Sequence, residues 1–327
     1  METTLQLEGS TGKSRKALEM LKRVPPSVFS ILVLVVIAWF WKPHILSFNF
    51  LMLIARQSAA LGIAVLGMQL VMRGGTLDLS IGGVFLLTNY LLTSGIIPRE
   101  SATLQITIPI LLGLIVGMIN GFFIAKAKVS AVIFTLAFGT ALTGIVLILS
   151  TGRLPGKMPE VVRLIGYGRV GLVPINLIVW LGLTILMAVI LRFFVYGRLL
   201  SAVGDNPQAA MLSGIPVDLV VFLNHTLCGL FAGVGALIFA GYIGMGSYTE
   251  GGDIPMRAIA ATILGAVGFG IGTGGVIGPF LGVWTLSLLF NMIVNLRIGE
   301  PGRLVLQGLV IFVAAVILSM RNAGESK

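Results

Sequence analysis

Apolar runs of membrane-spanning length recur along the chain from Val28 to Ile317, with only short polar breaks between them. A run of about 20 predominantly apolar residues is long enough to cross the hydrocarbon core of a bilayer as a helix. Of the 327 residues, 57% are hydrophobic and 10% are charged, whereas soluble domains average about 25% charged residues. The pattern therefore excludes a soluble domain and predicts a multi-pass membrane protein.

The pattern predicts an all-α fold of about ten transmembrane helices, with about eight as the lower bound because some are short or broken. They form a single transmembrane domain, residues 28–320, between tails at 1–27 and 321–327. Segment 258–270 is too short and too rich in glycine for a full span, so we expect a half-helix or re-entrant piece there. The predicted apolar segments are 28–42, 50–72, 80–97, 104–125, 131–149, 172–194, 217–243, 258–270, 276–295 and 303–320.

The basic residues lie at the ends of the apolar runs rather than in one patch. The net charge of +10 therefore favours contact with anionic lipid and gives no reason to expect a nucleic-acid partner. An even number of spans, a basic N-terminal tail and Arg321 together place both tails in the cytoplasm. The positive-inside signal is weak, because four basic residues fall on the outer side in this topology, namely Arg153, Lys157, Arg163 and Arg169.

Segment 73–83 (RGGTLDLSIGG) carries a carboxylate, Asp78, between two apolar runs. A charge at membrane depth is costly and usually marks a pathway or a partner. The surrounding glycines would break a helix, and broken backbone at that depth is tolerated only when it is buried in protein or faces water. A different role for Asp78 stays open, since a carboxylate also caps a helix that starts near Ser80.

Other polar residues inside the apolar runs complete the candidate set. His225 has two interpretations, an interhelical hydrogen bond or a role in a pathway. Amides and hydroxyls suit hydrogen bonding to a hydroxylated solute. The candidate substrate-pathway residues are therefore Asp78, Ser80, Asn120, His225 and Asn291.

Glycines recur at helix-packing spacing, as in Gly113, Gly117 and Gly121 and again in Gly229 and Gly233. Small residues four apart let helices approach closely in lipid, so these faces predict a compact bundle. Each half of the chain also has a glycine-rich break followed by a long span that holds an asparagine. This faint parallel is compatible with an internal repeat, which is common among transporters.

The sequence contains no pattern of residues that predicts an enzyme active site. Segment 7–14 (LEGSTGKS) approaches a phosphate-binding loop, but Leu7 replaces its first glycine and no α/β domain surrounds it. We find no metal-ligand cluster and no nucleophile–base pair at useful spacing, so we expect neither catalytic residues nor a cofactor nor a metal.

Segment 196–217 is the most polar internal loop. Its centre predicts a turn with an N-cap at 205–207, then a short helix over 208–213 that ends at Gly214 and Pro216. Such a helix suits docking to a cytoplasmic partner, and an ordinary interfacial helix is the alternative.

Four stretches in this order resemble the permease subunit of ribose/xylose/arabinose-type ABC importers, the branched monosaccharide-permease family. They are GGTLDLSIGG (74–83), GLIVGMINGFFIAKAKV (113–129), GRLLSAVGDNPQAAMLSGIPV (197–217) and RAIAATILGAVGFGIGTGG (257–275). The resemblance covers roughly residues 60–320.

The resemblance implies a multi-pass protein of the bacterial inner membrane that forms the path for a monosaccharide or similar solute. It implies ABC ATPase subunits, a second permease subunit and an extracytoplasmic solute-binding protein as partners. It also implies that the 206–214 helix is the element that seats in the ATPase, with the coupling residues Asn206, Ala209, Ala210, Ser213 and Gly214.

The chain departs from the family pattern at Pro255–Arg257, where an acidic pair is common, so both a homodimer and a heterodimer stay open. A different class of function also stays open. An ion-coupled secondary transporter would act without an ATPase, and Asp78 and His225 are its candidates for an ion or proton site.

Overall fold

A computed structural model describes residues 26–151, 156–267 and 275–295, together with isolated positions between 299 and 316. This part of the chain is mostly helical, with one two-stranded hairpin. The elements are α1 (Pro26–Trp41), α2 (Phe48–Arg73), α3 (Ile81–Thr93), α4 (Ala102–Ala125), α5 (Ala131–Ser150), α6 (Glu160–Tyr167), β1 (Arg169–Val170), β2 (Val173–Pro174), α7 (Ile175–Phe193), α8 (Val195–Asp205), α9 (Pro207–Leu212), α10 (Val217–Ile243), α11 (Ile254–Leu264) and α12 (Ile277–Asn295).

Six of the described helices are long and apolar enough to cross a membrane, namely α2, α4, α5, α7, α10 and α12. The prediction of an all-α membrane protein is therefore confirmed, whereas these helices do not reach the predicted count of about ten. The difference arises because α1, α3 and α11 are apolar but shorter. The predicted segment 303–320 and the two tails lie mostly outside the described residues.

Glycine contacts bring α4 and α10 together at the centre of the bundle. A Cβ added at Gly113 would lie 2.2 Å from the carbonyl oxygen of Gly229, and one at Gly117 would lie 2.4 Å from that of His225. Antiparallel helices therefore touch backbone to backbone along this face, as the small-residue spacing predicts. Further along α10, a Cβ at Gly235 would meet Ala60 of α2 at 3.1 Å.

The two ends of the bundle carry different polar groups. At one end, which we call the basic end, Lys126 and Lys128 follow α4 and both pair with Asp218 at the start of α10. At the opposite end, Asn89 of α3 donates a hydrogen bond to the carbonyl of Met245 at 3.2 Å and accepts one from the backbone N–H of Ser247 at 2.9 Å.

The sequence pattern missed the elements between α5 and α7. The apolar segment predicted at 172–194 starts with β2, and the helix begins at Ile175 behind Pro174. Proline is favourable just before or at the start of a helix, because its missing N–H needs no helical partner there. Helix α6 is amphipathic and buries Val162 and Gly166 against the end of α10, where Gly241 lies.

We predict that Gly113→Val destabilises the bundle, because the added atoms cannot fit between the backbones of α4 and α10. Overpacking of this kind costs about 1–3 kcal/mol, and backbone contacts leave little room for relaxation. Thermal unfolding of the full chain in detergent should show a lower apparent Tm. Gly144→Val is the matched control, since nothing lies within 4 Å of a Cβ there. Equal Tm values for both variants would contradict the proposed packing.

Candidate functional site

Helix α2 ends inside the bundle, and the chain turns back before α3 begins. Gly75 adopts a φ of 78°, which is the left-handed region where glycine is favoured. The backbone N–H of Thr76 then donates to the carbonyl of Val71 at 2.9 Å, which closes the end of α2. The backbone N–H of Leu79 donates to the hydroxyl of Thr135 on α5 at 3.0 Å. Protein groups therefore satisfy this broken segment, as membrane depth requires.

Asp78 organises the polar side chains around the break. Its Oδ1 accepts hydrogen bonds from the backbone N–H of Ser80 at 2.9 Å and from the Ser80 hydroxyl at 2.6 Å. The amide of Asn120 on α4 donates to both carboxylate oxygens, at 3.2 Å and 3.1 Å, and to the Ser80 hydroxyl oxygen at 2.8 Å. Nδ1 of His225 on α10 lies 3.5 Å from Asp78 Oδ2.

These four residues, which we call the Asp78 cluster, are completely enclosed, because none of their side chains is more than 1% exposed. The cluster joins the α2–α3 break to α4 and α10. The sequence left two local roles open, a helix cap for Asp78 and an interhelical contact for His225. Asp78 accepts from the N–H of Ser80, the residue that precedes α3, and does not bond the N–H groups of the first helical turn as a cap would. His225 makes an interhelical contact with Asp78. The 3.5 Å separation between His225 Nδ1 and Asp78 Oδ2 is long for a hydrogen bond.

Asn291, the fifth predicted pathway residue, lies away from this cluster. It lines a cavity of about 260 Å³ near the opposite end of the bundle, between α2, α10, α11 and α12. Its amide donates to the side-chain oxygen of Gln57 on α2 at 3.0 Å. The structure therefore brings four of the predicted residues together and places the fifth in a cavity that none of the four lines.

The cavity contains an ion pair that the sequence analysis did not find. Arg257 of α11 pairs with Asp253, four residues before it, and Glu250 lines the same wall. The Arg257 guanidinium also lies 5.4 Å from the ring centroid of Phe290, within the range of a cation–π contact. The i, i+4 spacing of opposite charges was the available signal.

A short helix projects from the basic end of the bundle. The side chain of Asn206 accepts hydrogen bonds from the backbone N–H groups of Gln208 and Ala209, both at 3.0 Å, and so caps α9. Gly214 follows the helix with a φ of 80°. The sequence located this capped helix and its glycine end correctly.

The faces of α9 differ from the expectation in one respect. Four of the five predicted coupling residues are exposed, but Ala210 is only 5% exposed and packs into the hydrophobic core of this chain. The apolar residues that face outward are Met211, at 62% exposed, and Leu212, at 86% exposed. These two residues are adjacent on the exposed surface of α9.

A helical bundle with an internal break, a polar cavity near one end and an exposed capped helix at the other has the architecture of a membrane transport protein. The chain belongs to the family described as the permease component of the branched-chain amino acid transport system, whose family model matches residues 50–315.

Two curated relatives extend over nearly the whole chain. One is the ribose import permease protein RbsC of Escherichia coli (strain K12), 28% identical over 295 residues that cover 89% of this chain and 92% of the relative. Another is the autoinducer 2 import system permease protein LsrC of Escherichia coli O157:H7, 28% identical over 296 residues that cover 89% and 85%. No solved structure matches the chain.

The family and these relatives confirm the interpretation of the chain as the permease component of an importer. They also confirm a multi-pass protein of the bacterial inner membrane, in agreement with the six long apolar helices. A transport permease of the ABC importer type works with an ATPase and a solute-binding protein.

We predict that Asp78→Asn and Asn120→Asp each destabilise the chain, and that the double variant recovers more than half of the loss. The first change replaces one of the two carboxylate oxygens that accept from Asn120 with an N–H₂ donor, and the second faces two carboxylates toward each other. Each leaves buried groups unsatisfied, at about 1–3 kcal/mol. The exchanged pair restores one donor and one acceptor.

The measurement is a double-mutant cycle on the free energy of unfolding in detergent micelles. Additive losses in the double variant would show that the two side chains do not interact, contrary to the geometry of the Asp78 cluster.

Proposed function

We propose that the importer to which this chain belongs carries a monosaccharide or a similarly polyhydroxylated solute, and that separate ATPase subunits drive it through α9. The observation that carries the proposal is the outward-facing apolar pair on α9, Met211 and Leu212, at the basic end of the bundle. The relative RbsC is a ribose import permease, and few charged groups lie in the described interior, which suits a neutral solute.

Helix α9 suits a contact that transmits force. Its Asn206 cap fixes the first turn, and the inward packing of Ala210 holds the helix to the chain's own core. Asn206, Ala209, Ser213 and Gly214 are exposed beside the apolar pair. We assign the partner contact to these exposed residues together with Met211 and Leu212, and we assign Ala210 to the anchoring of the helix.

The proposed topology has about ten crossings or half-crossings, with the basic end in the cytoplasm. Helices α1, α3 and α11 are the short members, and the segment 303–320 supplies the last one. The tails 1–27 and 321–327 are then both cytoplasmic. Lys126 and Lys128 at the basic end favour this orientation, whereas Lys157, Arg163 and Arg169 lie at the opposite end, so the proposed orientation rests on the basic N-terminal tail.

We propose a second permease subunit, identical or different, and an extracytoplasmic solute-binding protein as the other partners. We also propose that the chain catalyses no reaction and holds no cofactor, since its part in the cycle is to bind and conduct. The Asp78 cluster holds the broken segment beside the path, and Asn291 contacts the solute in the cavity.

We predict that Leu212→Glu releases the ATPase while the chain still folds and inserts. Leu212 is 86% exposed in the isolated chain, so a carboxylate there is hydrated until a partner covers it. Burying that unpaired charge in the contact costs several kcal/mol, on the order of 3–5. The measurement is co-purification of a co-expressed ABC ATPase subunit that assembles with the unchanged chain, together with solute uptake by the cells.

Leu172→Glu serves as the matched control. Leu172 is also exposed, at 69%, but it lies in the hairpin at the opposite end of the bundle. The Leu172→Glu variant should therefore retain the ATPase. If Leu212→Glu also retains the ATPase and transports normally, α9 is an interfacial helix and the proposed coupling is wrong.

A further inference from the structure

The cavity between α2, α10, α11 and α12 offers neutral groups that can both donate and accept hydrogen bonds. Gln57, Ser287 and Asn291 line it, and the amide and hydroxyl groups of these residues match a sugar hydroxyl, which is also donor and acceptor. The Gln57–Asn291 hydrogen bond at 3.0 Å places the two amides side by side on facing helices. Solute hydroxyls that bridge the two amides would replace that bond at little cost.

The charged groups of the cavity add hydrogen-bonding groups of fixed geometry and give the lining a net charge. Arg257 is paired with Asp253 and presents planar N–H donors beside carboxylate acceptors, which together suit vicinal hydroxyls. Its buried Nε–H has no hydrogen-bond partner within the described protein. With Glu250, the lining has two carboxylates against one guanidinium, so its net charge is negative and disfavours an anion.

The aromatic rings in the lining and the volume of the cavity further restrict the class of ligand that fits. Phe239, Tyr242 and Phe290 line the same cavity, and such rings pack against the C–H face of a sugar ring. The cavity volume of about 260 Å³ is just below the range of about 300–1,000 Å³ that is usual for ligand sites. The space therefore suits a small solute and not a disaccharide or a peptide.

We propose that this cavity is a binding site for a neutral polyhydroxylated solute of monosaccharide size, and that its acidic lining excludes sugar phosphates and sugar acids. This inference rests on the proposed function, since it names the place and the chemical selection of the solute. Arg257 and Asp253 act as the specificity-determining pair. The Asp78 cluster plays no part in the contact, because it is enclosed and lines no part of the cavity.

The experiment uses the full chain in lipid nanodiscs and measures the reaction rate of an introduced cysteine. The natural Cys228 is buried, so the unmodified chain supplies the background rate. Ile243→Cys places the thiol in the cavity lining without removing a polar group. Ser94→Cys places it in an exposed position after α3 that does not line the cavity.

Labelling with neutral methyl methanethiosulfonate is followed with D-ribose, D-xylose or D-glucose present, and then with D-ribose 5-phosphate or D-gluconate. We expect at least one neutral sugar to slow labelling of Ile243→Cys about threefold once its concentration is about twice its Kd. The two anions should not slow it, and labelling of Ser94→Cys should not change. The proposal is overturned if none of the neutral sugars protects, or if an anion protects as well as they do.

A second measurement tests the lining charge without any sugar. Adding Glu250→Gln and Asp253→Asn to Ile243→Cys turns the net charge of the lining positive. Labelling by the anionic sulfonatoethyl reagent should then accelerate about threefold or more relative to the neutral reagent at low salt. Unchanged rates would show that these carboxylates do not control entry. A changed labelling rate of Ser94→Cys in the same background would indicate misfolding. Arg257→Lys, which replaces the acidic changes and keeps the charge of the lining, then separates a folding effect from a charge effect.

Failure here and failure of the proposed function give different results. If the chain couples to an ATPase but the cavity is not the solute site, Leu212→Glu still releases the ATPase while Ile243→Cys shows no protection. If the cavity binds sugar but α9 does not couple, the protection persists and the ATPase is retained.

Discussion

The structure depends on the carboxylate of Asp78, which makes a broken helix acceptable inside an apolar bundle. Helix α2 ends and α3 begins within the protein, so the backbone groups between them cannot be satisfied by water. Asp78 accepts the N–H of Ser80, and Thr135 accepts that of Leu79. Asn120 and His225 then surround the charge with an amide and an imidazole. Three segments far apart in sequence are joined at this one point.

The same constraint explains why glycine is so prominent beside the cluster. Asn120 on α4 and His225 on α10 both lie beside Asp78, which places the two helices close together at this level. Gly117 and Gly229 permit that approach, because a Cβ at either would collide with the facing backbone. The close packing and the polar cluster thus depend on each other. Lipid provides no hydrophobic force between helices, so packing and hydrogen bonds together must hold them.

Features with a local sequence signal could be predicted, and features made by contact between distant segments could not. The all-α membrane fold follows from the apolar runs, and the Asn206 cap with Gly214 marks α9 in sequence. The predicted segment 80–97 begins where α3 begins but runs past its end at Thr93, because Ile96 and Ile97 continue the apolar pattern beyond the last helical turn. The pairing of Gln57 with Asn291 joins positions 234 residues apart, and nothing local reports it. The inward face of Ala210 likewise depends on tertiary packing.

Helix α10 connects the end of the bundle that carries α9 with the end that contains the cavity. Its first residues follow α9 at the basic end, His225 in its first half belongs to the Asp78 cluster, and Tyr242 near its end lines the cavity. A helix of 27 residues is about 40 Å long. Because α10 is held along this length by α4 and α2, a displacement applied at α9 would reach the cavity through one rigid element. The Asp78 cluster meets that element at His225, the ninth of its 27 residues, so it lies between α9 and the cavity and ties the broken segment to the same helix.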